Sequence, residues 1–215
     1  MLGTRGPTQP PLERRPPGAL NVPPLTGEVI PLKAAASAAR TEAPPPDRWK
    51  GFAAPGTPVA AGFDAIAAAD ASFAPDSFLS GARTAYEMIV AAFAAGDLST
   101  LRRLLAPEVL ANFEKAIRDR VAAEQTMTTT LVSIDAARVV EARLAGATAS
   151  VAAGATASVA VRFAAKLASV TRDKSGAAVE GSPNDVVDHL DVWTFTRDVA
   201  AGDPNWLLAA TQTVN

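Results

Sequence analysis

The chain contains no cysteine, only one histidine and only one tyrosine among 215 residues. The absence of cysteine excludes disulfide bonds, thiol catalysis and cysteine-ligated metals. No apolar run approaches the ~20 residues that span a bilayer, and no apolar signal segment stands at the start. The sequence also lacks a nucleophile elbow, a phosphate-binding loop and a metal-spaced carboxylate–histidine set. We therefore expect no cofactor, no metal site and no catalytic residue.

Proline is unevenly distributed along the chain. Thirteen of the 17 prolines lie in the first 58 residues, where they prevent a regular fold. We expect residues 1–58 to form a disordered, Pro-rich linker and residues 59–215 to form one domain. About 150 residues are enough to bury a sizeable core.

Charge is also divided between the two parts. Residues 1–58 carry seven Lys/Arg and four Asp/Glu, a net charge of +3, while the rest carries 13 and 18, a net charge of −5. Non-specific binding of DNA or RNA needs a concentrated basic face. The mildly acidic domain therefore argues against a nucleic-acid partner.

The segment 78–97 has the strongest helical periodicity, and the remainder of the domain is expected to cover it. Its apolar residues recur every three or four positions, which is typical of a helix with one buried face: Phe78, Ala82, Ala85, Ile89 and Phe93. Asp76 or Ser77 is expected to cap its start, and Gly96 to end it. Arg83 and Glu87 are spaced to pair across one turn.

Shorter helices are predicted at 63–71, 98–105 and 107–123, and strands follow them. From Thr128 the apolar period changes to two, which predicts strands at 128–144, 158–167, 186–198 and 206–213. Helices followed by a meander of strands indicate an α+β domain in which the helices pack on a four-stranded antiparallel sheet.

A short duplication lies between the first two predicted strands. Residues 146–152 read GATASVA, and residues 154–160 repeat these letters. The repeat unit of eight residues is even, so either copy presents the same side chains to the same sheet face. We expect one copy to loop out or to extend the hairpin beyond the sheet.

Several segments resemble the C-terminal domain of the Tim44 family, which includes the mitochondrial inner-membrane tether of the protein-import motor and its bacterial relatives. The resemblance covers roughly residues 49–215. It rests on the order and spacing of FLSGA at 78–82, AYEMI at 85–89, VRF at 161–163, VEG at 179–181, DVWTFTRD at 191–198 and DPNWLL at 203–208.

This resemblance implies a cone-shaped fold of the cystatin-like or nuclear-transport-factor-two-like kind, with a large apolar pocket. It also implies a non-enzymatic adaptor or scaffold in protein transport, peripheral on the cytoplasmic or matrix face of the inner membrane. Many bacterial members carry a membrane anchor before a Pro-rich linker. Since this chain shows only the linker, it is either a soluble, cytoplasmic member or its true start lies upstream.

A membrane contact is predicted at the start of the domain, where an aromatic and basic cluster precedes an apolar helix. Such clusters suit a lipid interface, although chance packing on the domain explains them equally well. The expected partners are an anionic phospholipid surface and proteins of a transport system. The predicted lipid-binding residues are Arg48, Trp49, Lys50, Phe52, Phe63, Ile66 and Phe73.

Aromatic and aliphatic residues of the helix and the strands are predicted to line the apolar pocket, with a plain core role as the alternative. The pocket-lining set is Tyr86, Ile89, Phe93, Phe163, Trp193, Phe195 and Trp206. A second function remains open, an enzyme or small-molecule carrier of the ketosteroid-isomerase kind, which would use Tyr86, His189 and Asp191 in the cavity. The alternative is that His189 and Asp191 form a polar edge or a hydrogen-bonded pair that supports the sheet.

Overall fold

The computed structural model describes residues 47–146, 154–201 and 203–214. Within these residues four helices precede four strands. The helices are α1 (Pro58–Ala69), α2 (Pro75–Ala95), α3 (Leu98–Leu104) and α4 (Pro107–Ala122). The strands are β1 (Thr126–Ala145), β2 (Thr156–Arg172), β3 (Ala178–Asp198) and β4 (Leu207–Thr213). Residues 1–46 of the predicted linker lie outside the described structure.

The strands form one antiparallel sheet in the order β1–β2–β3–β4. Each strand pairs with the next along the chain, so the sheet is a meander. The inward residues of β2 alternate with outward ones, as the period of two predicts. The predicted α+β class, with helices packed on a four-stranded antiparallel sheet, is confirmed.

Helix α2 crosses the inner face of the sheet and builds the centre of the core. The Tyr86 ring lies 4.8 Å from the Phe163 ring and 4.4 Å from the Trp193 ring, centroid to centroid. One end of the helix packs Phe78 on Phe195 with ring centroids 6.0 Å apart. The predicted buried face of the helix is therefore the face that contacts β2 and β3.

The start of α2 differs from the prediction. Its N-cap residue is Ala74, which has no side-chain acceptor. Pro75 fills the first turn, where its missing N–H leaves no orphan donor. Asp76 and Ser77 lie inside the helix rather than at its cap position, so the predicted cap position is wrong. Asp76 Oδ1 nevertheless accepts the N–H of Ser77 at 2.8 Å, and its charge favours the N-terminal dipole.

The predicted pair between Arg83 and Glu87 does not form. Arg83 Nη1 instead donates a hydrogen bond of 3.3 Å to the carbonyl oxygen of Ile134. The side chain therefore joins α2 to β1 rather than to the next turn of its own helix. Arg83 bonds the backbone carbonyl in preference to Glu87 because an exposed ion pair on a helix contributes only ~0.3–0.5 kcal/mol to stability.

The end of α2 is fixed by a glycine and an arginine. Gly96 has φ +72° and ends the helix in the left-handed conformation, as predicted. Arg120 Nη2 donates to the carbonyl oxygens of Phe93 (2.7 Å) and Ala94 (3.1 Å) in the last turn of the helix, where carbonyl groups run short of intrahelical donors. The guanidinium of Arg120 also lies 5.1 Å from the centre of the Phe93 ring.

Helix α1 lies directly on β1 at a glycine. A Cβ at Gly62 would fall 2.0 Å from the carbonyl oxygen of Ala142. The two backbones can approach this closely only because Gly62 has no side chain. Phe63 and Ile66, which follow Gly62 along the helix, are fully buried.

Strand β3 is longer than predicted. It begins at Ala178, eight residues before the predicted start at Val186. Gly181 and Pro183 in this segment argue against a strand in the sequence. Gly181 has φ +68°, and a Cβ there would lie 2.1 Å from the carbonyl oxygen of Ser169 on β2. The glycine thus permits a register shift that keeps the extra segment paired with β2.

The second copy of the duplicated segment, residues 154–160, enters β2 and buries Ala155, Ala157 and Val159 completely. Residues 147–153 lie outside the described structure. The prediction that one copy loops out therefore falls on residues whose structure is not described.

Candidate functional site

A groove of about 530 Å³ opens between α2 and the segment that joins β3 to β4. Aromatic rings form its floor: Phe73, Phe78, Phe195 and Trp206. The Phe78 and Trp206 rings meet edge to face with centroids 4.8 Å apart. Leu104 of α3 also lines the groove. Three separate parts of the chain thus enclose a cleft whose floor is apolar.

One wall of the groove is low because α2 presents small residues there. Ser77, Gly81 and Ala85 follow each other at intervals of four and line the groove on one helix face. A Cβ at Gly81 would meet nothing within 4 Å. Glycine in the middle of a helix costs about 0.5–1 kcal/mol relative to alanine. No packing contact requires Gly81, and its effect is to keep the groove wide.

A buried ion pair closes one end of the groove. Arg197, a lining residue, bonds through Nη2 to Asp70 Oδ2, and the two side chains are only 11% and 16% exposed. The guanidinium lies 5.1 Å from the centre of the Trp206 ring. Among the described residues, Arg197 Nε has no hydrogen-bond partner although it is buried. The groove therefore combines an apolar floor with one polar end, a pattern that suits an amphipathic molecule.

The predicted pocket-lining residues separate into two groups. Phe195 and Trp206 line the groove. The other five belong to the core between α2 and the sheet: Tyr86, Ile89, Phe93, Phe163 and Trp193. Phe78, Gly81 and Arg197 were absent from the predicted set. Gly81 in mid-helix was the available signal, since a glycine there needs a reason other than helix formation.

The predicted lipid-binding residues are also divided. Phe63 and Ile66 have no exposed surface, and Trp49 and Phe73 are each only 8% exposed. Trp49 Nε1 donates a hydrogen bond of 2.9 Å to Asp64 Oδ1, and its ring meets the Phe63 ring edge to face at 5.4 Å. In this conformation these four side chains contact the core. The lipid contact predicted for them would require this part of the chain to leave the sheet.

The remaining members of that set stay on the surface. Lys50 is exposed and Phe52 is half-buried. The side chain of Arg48 is 58% exposed and lies over the Trp49 ring, 3.8 Å from Asp64. The segment 47–57, which the sequence assigns to the linker, thus packs against α1 through Trp49 and Asp64.

A buried polar cluster lies on the inner face of the sheet, at the residues considered for catalysis. Tyr86 donates a hydrogen bond of 3.1 Å to Asp191 Oδ2, and Thr213 donates one of 3.1 Å to Asp191 Oδ1. Burial raises the pKa of Asp191, which these two hydrogen bonds and the charge of His189 oppose. Burial and the neighbouring carboxylate raise the pKa of Tyr86. Both carboxylate oxygens are engaged, and neither Tyr86, His189 nor Asp191 lines the groove.

Comparison with known proteins shows the family. The model of the Tim44-like domain matches residues 59–213, and the chain belongs to this family. No curated protein matches the chain significantly. Among solved structures, the intermembrane space region of the chloroplast protein ARC6 aligns with a TM-score of 0.40 and 13% identity, covering 61% of this chain and 95% of that one. So low a score carries no argument about function.

Membership of this family gives the chain a coarse functional class. The family is generally non-enzymatic, and it associates this chain with membrane-peripheral adaptor work in transport. In the described part of the chain, no helix is long and apolar enough to cross a membrane.

Proposed function

We propose that this protein is a non-enzymatic adaptor of a protein-transport system that binds an acyl chain in the groove between α2 and the β3–β4 connection. The observation that carries the proposal is the open wall at Gly81 above an aromatic floor. An acyl chain fits such a floor because burying each CH₂ group contributes about 0.8 kcal/mol. At one end of the same groove, the Nε–H of Arg197, which has no partner among the described residues, would donate to the head group.

The protein is proposed to act at the cytoplasmic or matrix face of an inner membrane, with an anionic phospholipid surface and transport proteins as partners. Arg48 and Lys50 are exposed beside the half-buried Phe52, and they would contact the head groups. Two basic residues supply only about 2 kcal/mol at an anionic surface. Membrane binding should therefore be weak and sensitive to salt unless a ligand or a partner adds to it.

Groove binding is tested by titrating the full chain with a fluorescent long-chain fatty acid. Gly81→Trp places a large side chain in the groove, whereas Gly81→Ala adds one methyl group to open space. We expect Gly81→Trp to weaken binding at least tenfold and Gly81→Ala to change it less than threefold. Equal affinities of the two variants would exclude this groove as the binding site.

Surface binding is tested by co-sedimentation of the full chain with vesicles of phosphatidylcholine, with and without cardiolipin. Lys50→Glu should reduce binding to the cardiolipin vesicles. Lys115→Glu, the same charge change on α4, is the matched control and should have little effect. Binding that depends neither on cardiolipin nor on Lys50 would contradict the proposed membrane contact.

The alternative function, an enzyme of the ketosteroid-isomerase kind, has less support than the adaptor. Tyr86 and Asp191 do meet, as an acid–base pair would require. However, Thr213 occupies the second oxygen of Asp191, and the groove lies elsewhere. A general base needs a free oxygen within reach of a substrate, so this cluster supports the sheet better than it supports catalysis.

A further inference from the structure

The outer face of the sheet, defined as the side of β1, β2 and β3 turned away from the helices, exposes several large apolar residues. Val132 is 53% exposed, Val186 49% and Leu190 46%. In the strand register Val186 pairs with Ala168, and Leu190 pairs with Ala164. No described helix packs on this side. Because the Lys166–Asp188 pair lies between these two pairs on the same face, the apolar residues form two separate rows. The row of Leu190 and Ala164 continues to Ala136 of β1, and we call these three residues the apolar stripe.

Two arginines lie beside this stripe without an acidic partner. Arg138 of β1 and Arg162 of β2 are direct cross-strand neighbours, and both are exposed. Like charges directly opposite each other destabilise a sheet. Within the described residues neither arginine forms an ion pair. The fold therefore tolerates an unfavourable contact here, and an acidic group from outside the described chain would relieve it.

An acidic cluster lies on the other side of the apolar stripe. Lys166 Nζ is 2.5 Å from Asp188 Oδ1 and 3.6 Å from Asp135 Oδ2. Lys166 donates this hydrogen bond to Asp188, which raises the pKa of Lys166, and the formal charges of the three side chains sum to −1. Between the cluster and the two arginines runs one apolar row, formed by Ala136, Ala164 and Leu190.

We propose that the outer face is the interface between two copies of this chain. A two-fold axis along the Ala136–Ala164–Leu190 row, across the strands, places Arg138 of each copy near Asp135 of the other. It places Arg162 opposite Lys166, with Asp188 on the neighbouring strand. Neighbouring strands are only about 4.8 Å apart, so Arg162 can reach Asp188 of the second copy even when it faces the middle of the cluster. Such self-complementarity is what a two-fold interface requires.

The available area also suits a dimer. Three strands about 4.8 Å apart, paired over about 17 residues of about 3.3 Å each, offer roughly 800 Å² per copy. A stable interface of standard size buries about 800 Å² on each partner. An anionic membrane is a poorer occupant, because Asp135 and Asp188 would meet lipid phosphates of their own charge.

The test uses charge reversal in the full chain, with self-association measured by analytical ultracentrifugation. Arg162→Glu and Asp188→Arg should each weaken dimer formation at least tenfold, because each places like charges across the interface. An equimolar mixture of the two variants should restore dimers, since both contacts then join opposite charges. Arg103→Glu, the same change on α3, is the matched control and should leave the dimer intact. Circular dichroism confirms that each variant is folded.

Three results would overturn the proposal. The first is a protein that stays monomeric at concentrations up to about 100 μM, because an interface of this size should associate more tightly than that. The second is equal effects of Arg162→Glu and Arg103→Glu. The third is a mixture of the two face variants that associates no better than either variant alone.

Discussion

Tyr86 and Asp191 are joined by a hydrogen bond of 3.1 Å through the interior, although 105 residues separate them along the chain. The bond connects α2 to β3, and Thr213 of β4 completes the coordination of the same carboxylate. Three elements thus meet at one buried polar group. A buried carboxylate is stable only when its oxygens are paired, so Asp191 can be buried only when α2, β3 and β4 are all in place.

Tyr86→Phe should reduce the free energy of unfolding by about 1–3 kcal/mol, since it leaves one oxygen of Asp191 buried without a donor. The ring and its contacts with Phe163 and Trp193 remain. Urea denaturation at neutral pH measures the change. Thr213→Val removes the other donor from a more exposed position, and it should cost less. A neutral effect of Tyr86→Phe would mean that the hydrogen bond adds nothing to the stability of the fold.

Asp191→Asn should change how stability depends on pH. Burial raises the pKa of Asp191, so the folded protein holds this proton more tightly than the unfolded chain does. The free energy of unfolding therefore falls as the pH rises from the ordinary carboxyl pKa of about 4 to the raised value. The asparagine variant does not titrate. Relative to the wild type it should become more stable across that window, and parallel pH profiles would contradict the raised pKa.

Gly62→Ala and Gly81→Ala should have opposite effects on stability. Both glycines lie inside helices, where alanine is favoured by about 1 kcal/mol. At Gly62 the new Cβ would collide with the carbonyl of Ala142, and overpacking of this kind costs about 1–3 kcal/mol. At Gly81 the methyl group enters open space. Urea denaturation should show a less stable Gly62→Ala and a more stable Gly81→Ala, and a stabilised Gly62→Ala would refute the close contact.

Arg120→Ala should reduce the free energy of unfolding by about 2–3 kcal/mol, because it removes two charge-assisted hydrogen bonds to the end of α2. Arg120→Lys keeps a charged donor for the carbonyls but loses the Nη1 contact with Met127 Sδ, and it should cost less than the alanine change. Hydrogen exchange should show the added mobility at the last turn of α2. Unchanged hydrogen exchange in that turn would mean that Arg120 does not stabilise the end of α2.

The regular elements could be predicted because their signals are local. The apolar spacing of 78–97, the left-handed stop at Gly96 and the alternation in 158–167 all depend on residues a few positions apart. Gly181 shows where this fails. A glycine in a strand normally counts against the strand, and only the nearby backbone of Ser169 shows that the register shift needs it.

The sites were harder to predict because their partners are distant in sequence. Trp49 beside two basic residues suggests a lipid interface, but Asp64, 15 residues later, accepts its N–H and draws it into the core. The groove combines parts of α2, α3 and the β3–β4 connection, which no window of sequence contains. Local patterns indicate that a residue is apolar, and tertiary packing decides whether it lines a core or a groove.

The separation of Tyr86 from Asp191 has a consequence for the synthesis of the protein. Ribosomes add about 5–20 residues per second, so α2 emerges roughly 5–20 s before the carboxylate that its tyrosine will bind. During this interval the apolar face of α2 has no sheet to cover it. Exposed faces of this kind are what chaperones recognise in a growing chain. A newly made molecule therefore depends on protection early, well before the last strands can close over the helix.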